Sequence, residues 1–246
     1  MMRTTVTVIG SGDAFSAGGR GHTCFLVLSP TLSFTIDFGA TALAGLKKHG
    51  YSSDDLDAII LTHFHGDHFG GMPFLLLDAA RLNRSKPLTI ISPPGGKGRI
   101  RELFDLLYPG SGEALDRLDL RYLEFNGHAK LRLHGFELES FPVVHSPKTL
   151  PHGVRIRMDD LTIAYTGDTE WTDNIRDIVA LTDLAICECT FFRKEEKNHL
   201  NYTKLLDEVS TFTCQRLLLT HFDEEMLDHL REIQYDLAKD GLVINL

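Results

Sequence analysis

In the first hundred residues, hydrophobic positions fall in short runs that alternate with polar residues or consist of β-branched ones, and Gly, Ser and Pro interrupt them. Runs of this kind are typical of β-strands. They predict strands at 4–9, 23–28, 32–37, 58–62 and 88–92. Between these strands, apolar residues recur at helical spacing. This spacing predicts helices at 40–50, 73–84 and 97–108.

The same patterns predict further strands at 120–125, 136–144, 153–158 and 161–166. From there, helices and strands alternate to the end of the sequence. The helices are predicted at 172–180, 202–210 and 224–239, and the strands at 184–188, 216–220 and 242–246. Strand meanders followed by this alternation predict an α/β fold with two sheets between layers of helices. No repeat, low-complexity tract or linker divides residues 1–246, so we expect one domain.

The composition argues against nucleic acids as general partners and favours a location inside the cell. The 246 residues are 43% hydrophobic, which is enough for one good core. A net charge of −9 disfavours general binding of nucleic acids. The four cysteines form no CxxC pair, and the N-terminus does not look like a secretory signal, so we expect a cytoplasmic protein. No apolar run approaches the roughly 20 residues that a membrane span needs.

The segment THFHGDHFGG, residues 62–71, carries the strongest chemical signal. His63, His65, Asp67 and His68 lie within six residues, directly after a predicted buried strand. Such a cluster contributes nothing to packing. Imidazole and carboxylate groups together suit Zn, and also Mn or Fe. His63 and His65 can point at one metal, while Asp67 and His68 face an adjacent position.

A zinc ion usually takes four donors, so further ligands must come from elsewhere in the chain. His145, Asp168 and His221 each follow a predicted core strand. His221 stands in LTHFDEE, which resembles the LTHFHGD of the first cluster. Each of the three taken alone is compatible with a structural histidine or a turn aspartate. Because all three leave the sheet at a strand end, we expect them to converge on one edge.

These motifs, which extend from residue 10 to 222, resemble those of the metallo-β-lactamase superfamily of binuclear metallohydrolases. The resemblance implies a four-layer αββα sandwich and two divalent metal ions, Zn first with Mn or Fe as alternatives. Asp37, in TIDFGA, matches an early aspartate that braces the ligand loop rather than binding metal. The resemblance implies one site from His63, His65 and His145, a second from Asp67, His68 and His221, and Asp168 as the bridge.

Within that superfamily, the sequence is most similar to the ribonuclease Z-like branch. Asp168 stands where true β-lactamases of this type have Cys, which argues against antibiotic hydrolysis. ICECTFF resembles the HEATF segment of the branch, with Glu188 retained, and NHLNY matches its His-Ser-Thr motif, with His199 retained. A histidine beside a carboxylate can protonate a leaving alkoxide near pH 7. We therefore expect Glu188 and His199 to be a catalytic pair, with a strand-end carboxylate and a loop histidine as the alternative.

The expected reaction is hydrolysis of a small or short phosphodiester by a metal-bridging hydroxide, which Asp67 orients. Bacterial-type ribonuclease Z carries a long basic arm between the ligands that match His145 and Asp168. Here 22 residues, 146–167, leave room for a turn and two strands, which disfavours large RNA. A tRNA 3′-endonuclease, a lactonase or other ester hydrolase, and a non-catalytic scaffold member stay open. Homodimers are common in the family, but no stretch of the sequence identifies an interface.

Overall fold

The computed structural model describes residues 3–133 and 135–246 and contains two mixed seven-stranded sheets. The first holds β1 (Thr5–Gly10), β2 (Cys24–Leu28), β3 (Ser33–Ile36), β4 (Ala58–Ile60), β5 (Leu88–Ser92) and β6 (Leu120–Glu124). The second holds β7 (Ala129–Leu133), β8 (Phe136–Pro142), β9 (His152–Met158), β10 (Leu161–Tyr165), β11 (Leu184–Glu188), β12 (Leu217–Thr220) and β13 (Asp236–Leu237). The last strand, β14 (Val243–Asn245), returns to the first sheet beside β1.

The helices lie on the outer faces of the sheets. The first sheet is covered by α1 (Ala42–Lys48), α3 (Met72–Arg81), α4 (Gly96–Leu107) and α5 (Glu113–Asp116), while the short α2 (Gly66–Phe69) holds part of the histidine cluster. The second sheet is covered by α6 (Asn174–Val179), α7 (Tyr202–Glu208) and α8 (Glu224–Asp228). Within the described ranges, no helix combines the length and the apolar run needed to traverse a bilayer.

Successive side chains of a strand point to opposite faces of its sheet, and the buried ones form three apolar cores. Phe34 and Ile36 of β3 and Ile60 of β4 point into a core between the two sheets, where Phe25 meets Tyr165 edge-on at 5.3 Å. Their neighbours on the opposite face, such as Ile59, pack against the helices of the first layer. The predicted four-layer αββα sandwich is confirmed.

The interval between His145 and Asp168 contains a turn and two strands, as its length of 22 residues predicts. It contains a single 3₁₀ turn, Pro147–Thr149, followed by the antiparallel pair β9 and β10. Both strands are integral to the second sheet, so no chain is left over for an arm in this interval.

One predicted helix is wrong, and two strands, β7 and β13, were not predicted from the sequence. The helix expected at 224–239 ends at Asp228, and β13 forms inside that range, with Leu237 paired to Leu219 of β12. Pairing with the free edge of β12 and complete burial of Ala238 outweigh the helical periodicity of this segment. β7 was also missed, because it is an edge strand whose residues are only half buried.

Arg84, which follows α3, holds the segments that lead into the two central strands β4 and β5. Its guanidinium is almost fully buried and donates hydrogen bonds of 2.7 Å to the Ser53 carbonyl and 2.6 Å to the Leu56 carbonyl, just before β4. It also donates to the carbonyls of Lys86 at 2.7 Å and Pro87 at 2.8 Å, just before β5. The planar fork of five N–H groups suits this set of acceptors, and an ammonium cannot reproduce it.

We expect Arg84→Ala to lower the free energy of unfolding by about 2–4 kcal/mol, because several buried carbonyl oxygens lose a charged donor. Arg84→Lys should recover only part of that loss. Urea denaturation followed by circular dichroism measures both. Arg81→Ala, at an exposed position of α3, is the control and should change stability by less than about 0.5 kcal/mol. Equal losses for the two alanine variants would contradict the assigned role of Arg84.

Candidate metal centre

The sequence-predicted ligands come together at one edge of the two sheets. His63 and His65 lie in the loop after β4, and Asp67 and His68 lie in α2. The other three follow strand ends of the second sheet, as expected. Their donor atoms form two groups whose members all lie within 4.8 Å of one another, namely His63, His65, His145 and Asp168, and Asp67, His68, Asp168 and His221.

The spacing within the first group fits a single cation. Nδ1 of His65 is 3.3 Å from Nε2 of His63 and 2.9 Å from Nε2 of His145. Oδ2 of Asp168 is 3.8 Å from Nε2 of His63 and 3.9 Å from that of His145. Zn–N bonds of about 2.0–2.1 Å place tetrahedral donors about 3.3 Å apart. The donors are thus already close to the arrangement that zinc requires.

The second group is equally tight and shares Asp168 with the first. Oδ2 of Asp67 lies 3.2 Å from Nε2 of both His68 and His221. Oδ2 of Asp168 lies 3.1 Å and 3.4 Å from the same two nitrogens. Nε2 of His68 and Oδ1 of Asp168 are buried without a hydrogen-bond partner among the described residues. Buried polar atoms of this kind require an explanation, and a divalent cation fits them.

Asp37 orients two of the imidazoles. Its carboxylate accepts a hydrogen bond of 2.7 Å from Nδ1 of His68 and others from the backbone N–H and hydroxyl of Thr62. Since the Thr62 hydroxyl donates to Asp37, its oxygen accepts from Nδ1 of His63 at 3.1 Å. The Nε2 atoms of both histidines therefore face the centre. Asp37 has the bracing position that the sequence predicts.

Hydrogen bonds to Nδ1 also set the tautomers of the remaining Nε2 donors. Nδ1 of His145 donates to the carbonyl of Asn198 at 2.7 Å. Thr190 donates its hydroxyl proton to Glu188 at 2.6 Å and accepts from Nδ1 of His221 at 3.1 Å. Such outer hydrogen bonds fix the ring orientation and raise the basicity of a ligating histidine. Neither Thr190 nor the Asn198 carbonyl could be identified from the sequence, because threonine is not a typical metal ligand and every residue has a backbone carbonyl.

The charges at the centre suit a cation. Burial lowers the pKa of His63 well below its usual value, and the neighbouring His68 lowers it further. Burial also disfavours ionisation of Asp67 and Asp168, but the surrounding imidazoles outweigh it and hold the pKa of both carboxyls well below the usual range. Burial alone would lower the pKa of His68 and His221, but Asp168 and Asp67 outweigh it and raise the pKa of both rings, so a bound cation would displace a proton from each.

Glu188 and His199, which the sequence suggests as a catalytic pair, are in contact with each other. Glu188 is fully buried at the end of β11 and is not a surface carboxylate. Its oxygens lie 3.2 Å and 3.3 Å from Nδ1 of His199. Burial alone would lower the pKa of His199, but the adjacent Glu188 carboxylate raises it to about 9. The His199 ring lies 4.9 Å from that of His145 and stacks on His221 at 5.5 Å, so it borders both groups of donors.

The centre opens into a cavity of about 690 Å³. His65, His145, His199 and His221 line it next to the donor groups. Phe15, whose residue is 90% exposed, and Phe191 contribute aromatic surface. The charged residues of the lining are of both signs, namely Lys194, Lys197, Asp13, Glu196, Asp223 and Glu224. The arrangement combines donor groups that fit a divalent cation, a histidine with a raised pKa and a cavity large enough for a small organic molecule.

Comparisons with known proteins identify the family and the fold. The family model described as anti-Pycsar protein Apyc1 matches residues 4–243. A ribonuclease Z of Lachnospira eligens is 24% identical over 98% of this chain and 97% of its own length. An anti-Pycsar protein Apyc1 of Bacillus phage 010DV004 is 25% identical over 92% of this chain and 93% of its own. The metallo-β-lactamase fold protein YhfI from Bacillus subtilis superposes with a TM-score of 0.80 at 23% identity, covering 100% of both chains. The chain thus belongs to the anti-Pycsar protein Apyc1 family, in the ribonuclease Z-like branch of the metallo-β-lactamase superfamily.

Proposed function

We propose that this metal-dependent hydrolase binds two divalent cations and cleaves a small phosphodiester. The observation that supports this most directly is the shared position of Asp168, whose Oδ2 approaches donors of both groups. One carboxylate can serve two cations that lie side by side. In the proposed assignment His63, His65 and His145 hold one cation, Asp67, His68 and His221 hold the other, and Asp168 contacts both.

When bound, the two cations would polarise the substrate and make a nucleophile of water near pH 7. Asp67 accepts a hydrogen bond from that water and orients it. His199 donates the proton from Nε2 to the leaving oxygen. Its Nδ1–H remains hydrogen-bonded to the Glu188 carboxylate. Glu188 is itself held by the hydroxyl of Thr190 and the backbone N–H of Leu200. The pair is thus preorganised next to the reacting group.

Three features favour a small substrate over a large RNA. A turn and two strands of the second sheet occupy the whole interval between His145 and Asp168, which leaves no arm there to hold an RNA. The cavity of about 690 Å³ matches a molecule of modest size. The net charge of −9 opposes contact with an extended polyanion. The relatives named ribonuclease Z make tRNA 3′-end cleavage the second candidate function.

A panel of substrates tests the proposed activity. Protein loaded with Zn(II) or Mn(II) is assayed with bis-p-nitrophenyl phosphate, a cyclic mononucleotide, a precursor tRNA and a lactone. We expect metal-dependent turnover of at least one small phosphodiester, with kcat/KM above that for the tRNA. Asp168→Ala, which removes the shared ligand, is the inactive control.

The other outcomes of the panel each contradict the proposal in a different way. Turnover of the lactone without any diester cleavage would assign the protein to the ester hydrolases. Preference for precursor tRNA would assign it to the endonucleases. Metal-loaded protein that turns over none of the four would support a non-catalytic role.

The role of His199 predicts a dependence on the leaving group. We expect His199→Ala to lower kcat at least about 100-fold for a diester with an alkoxide leaving group, because the alkoxide must be protonated. The loss should be much smaller for bis-p-nitrophenyl phosphate, because p-nitrophenolate leaves readily as an anion. Steady-state kinetics on both substrates measure the difference, and metal analysis must show unchanged metal content. An equal loss on both substrates would contradict the proton-donor role.

Asp37 couples the two proposed cation sites, since it contacts His68 directly and His63 through Thr62. Its approach to α2 depends on Gly39, where a Cβ would lie 2.2 Å from the carbonyl oxygen of Asp67. Asp37 has φ of 58°, in the left-handed region that asparagine also tolerates. Asparagine can therefore replace it without a change of backbone, but it supplies only one acceptor oxygen.

We expect Asp37→Asn to weaken Zn(II) binding at both sites by about 10- to 100-fold, the usual effect of losing an outer partner of ligating histidines. Competition with a chromophoric chelator measures the two affinities. Asp119→Asn is the control, because Asp119 is exposed and pairs with Arg121 on the protein surface. If Asp37→Asn bound Zn(II) as tightly as the control, the bracing role would be wrong.

A further inference from the structure

Asn198 has an unusual backbone conformation beside the metal centre. Its φ is 71°, in the left-handed region that most residues with a Cβ avoid. Asparagine tolerates this region better than most residues, glycine adopts it freely, and β-branched residues are strongly disfavoured there. The conformation turns the Asn198 carbonyl towards the interior, where it accepts the hydrogen bond of 2.7 Å from Nδ1 of His145.

This contact determines which nitrogen of His145 can bind a cation. Because a carbonyl can only accept, the proton of a neutral His145 ring lies on Nδ1 and the lone pair lies on Nε2. Nε2 is the atom that lies 2.9 Å from His65 and 3.9 Å from Asp168. The side-chain amide of Asn198 makes no hydrogen bond within the described part of the chain. The backbone of Asn198 therefore carries the interaction.

The residues that follow Asn198 are held in place by hydrogen bonds. On the C-terminal side, His199 and the N–H of Leu200 both bond to Glu188. Two residues further, the N–H of Tyr202 bonds to the carbonyl of Phe191 at 2.8 Å. A different φ at Asn198 would either withdraw the carbonyl from His145 or force the exposed residues before it, 193–197, onto another path.

We propose that Asn198 is a positioning residue that acts through its backbone: its left-handed conformation holds His145 in the tautomer and orientation required for binding metal. This inference rests on the proposed metal-binding function. It adds a residue outside the predicted ligand set, and it assigns the effect to a main-chain dihedral angle rather than to a side chain. A hydrogen bond from a ligating histidine to a backbone carbonyl is a common means of fixing the ring.

Substitutions that differ in their tolerance of positive φ test the inference. Asn198→Gly removes the amide but keeps the conformation accessible, whereas Asn198→Val disfavours it. We expect Asn198→Val to weaken Zn(II) binding at the His145 site at least about tenfold and Asn198→Gly to leave the affinity close to that of the unsubstituted protein. Asn198→Ala should lie between them, and it keeps the test open if the valine variant folds poorly. Glu195→Val, at an exposed position of the same loop, is the control.

Chelator competition gives the affinities, and thermal unfolding of the metal-free proteins shows whether each variant folds. A double-mutant cycle adds a readout specific to the contact: in a His145→Ala background, Asn198→Val should no longer alter Zn(II) affinity. Equal affinities for the valine and glycine variants, or an undiminished effect without His145, would overturn the inference. Failure of the unsubstituted protein to bind Zn(II) would instead overturn the proposed function.

Discussion

Four buried carboxylates at one edge of the molecule, those of Asp37, Asp67, Asp168 and Glu188, impose the constraint on which the site depends. A buried anion is strongly destabilising unless hydrogen-bond donors or positive charge replace its hydration. Asp37 and Glu188 receive several donors from backbone and hydroxyl groups. Asp168 receives imidazoles on one oxygen and no hydrogen bond on the other within the described residues. The histidines, and in the proposed function two cations, supply the missing compensation.

Sheet topology explains how residues far apart in sequence meet around these carboxylates. β10, β11 and β12 are parallel neighbours, so their carboxyl ends lie along one edge. Asp168, Glu188 and His221 are found there, although 52 residues, 169–220, separate the first from the last. In the first sheet, β3 and β4 are also parallel and lead to Asp37 and the histidine cluster. The centre lies where the carboxyl ends of parallel strands from both sheets come together.

The sequence identifies the side chains that cluster at this edge because each has a local signature: a residue of a metal-binding type, placed directly after an apolar strand. It also predicts the sandwich, since strands such as β3 and β4 alternate or consist of β-branched residues. Features that depend on distant partners are not predictable in this way. β13 forms only because β12 offers a free edge, and its sequence is otherwise typical of a helix. The carbonyl of Asn198 and the hydroxyl of Thr190 act through geometry that no residue type specifies.

The hydroxyl of Thr190 has a consequence for how such a centre could diverge. It accepts from the metal-facing His221 and donates to Glu188, the same carboxylate that holds His199. A single anion therefore governs both the electron donation of one imidazole and the acidity of another. Consider a relative in which Glu188 is replaced because its substrate needs no protonation. The same replacement would also alter the hydrogen bonding of His221, and with it the binding of the proposed cation. In the proposed function, the affinity for the cation and the preference for a leaving group would therefore change together.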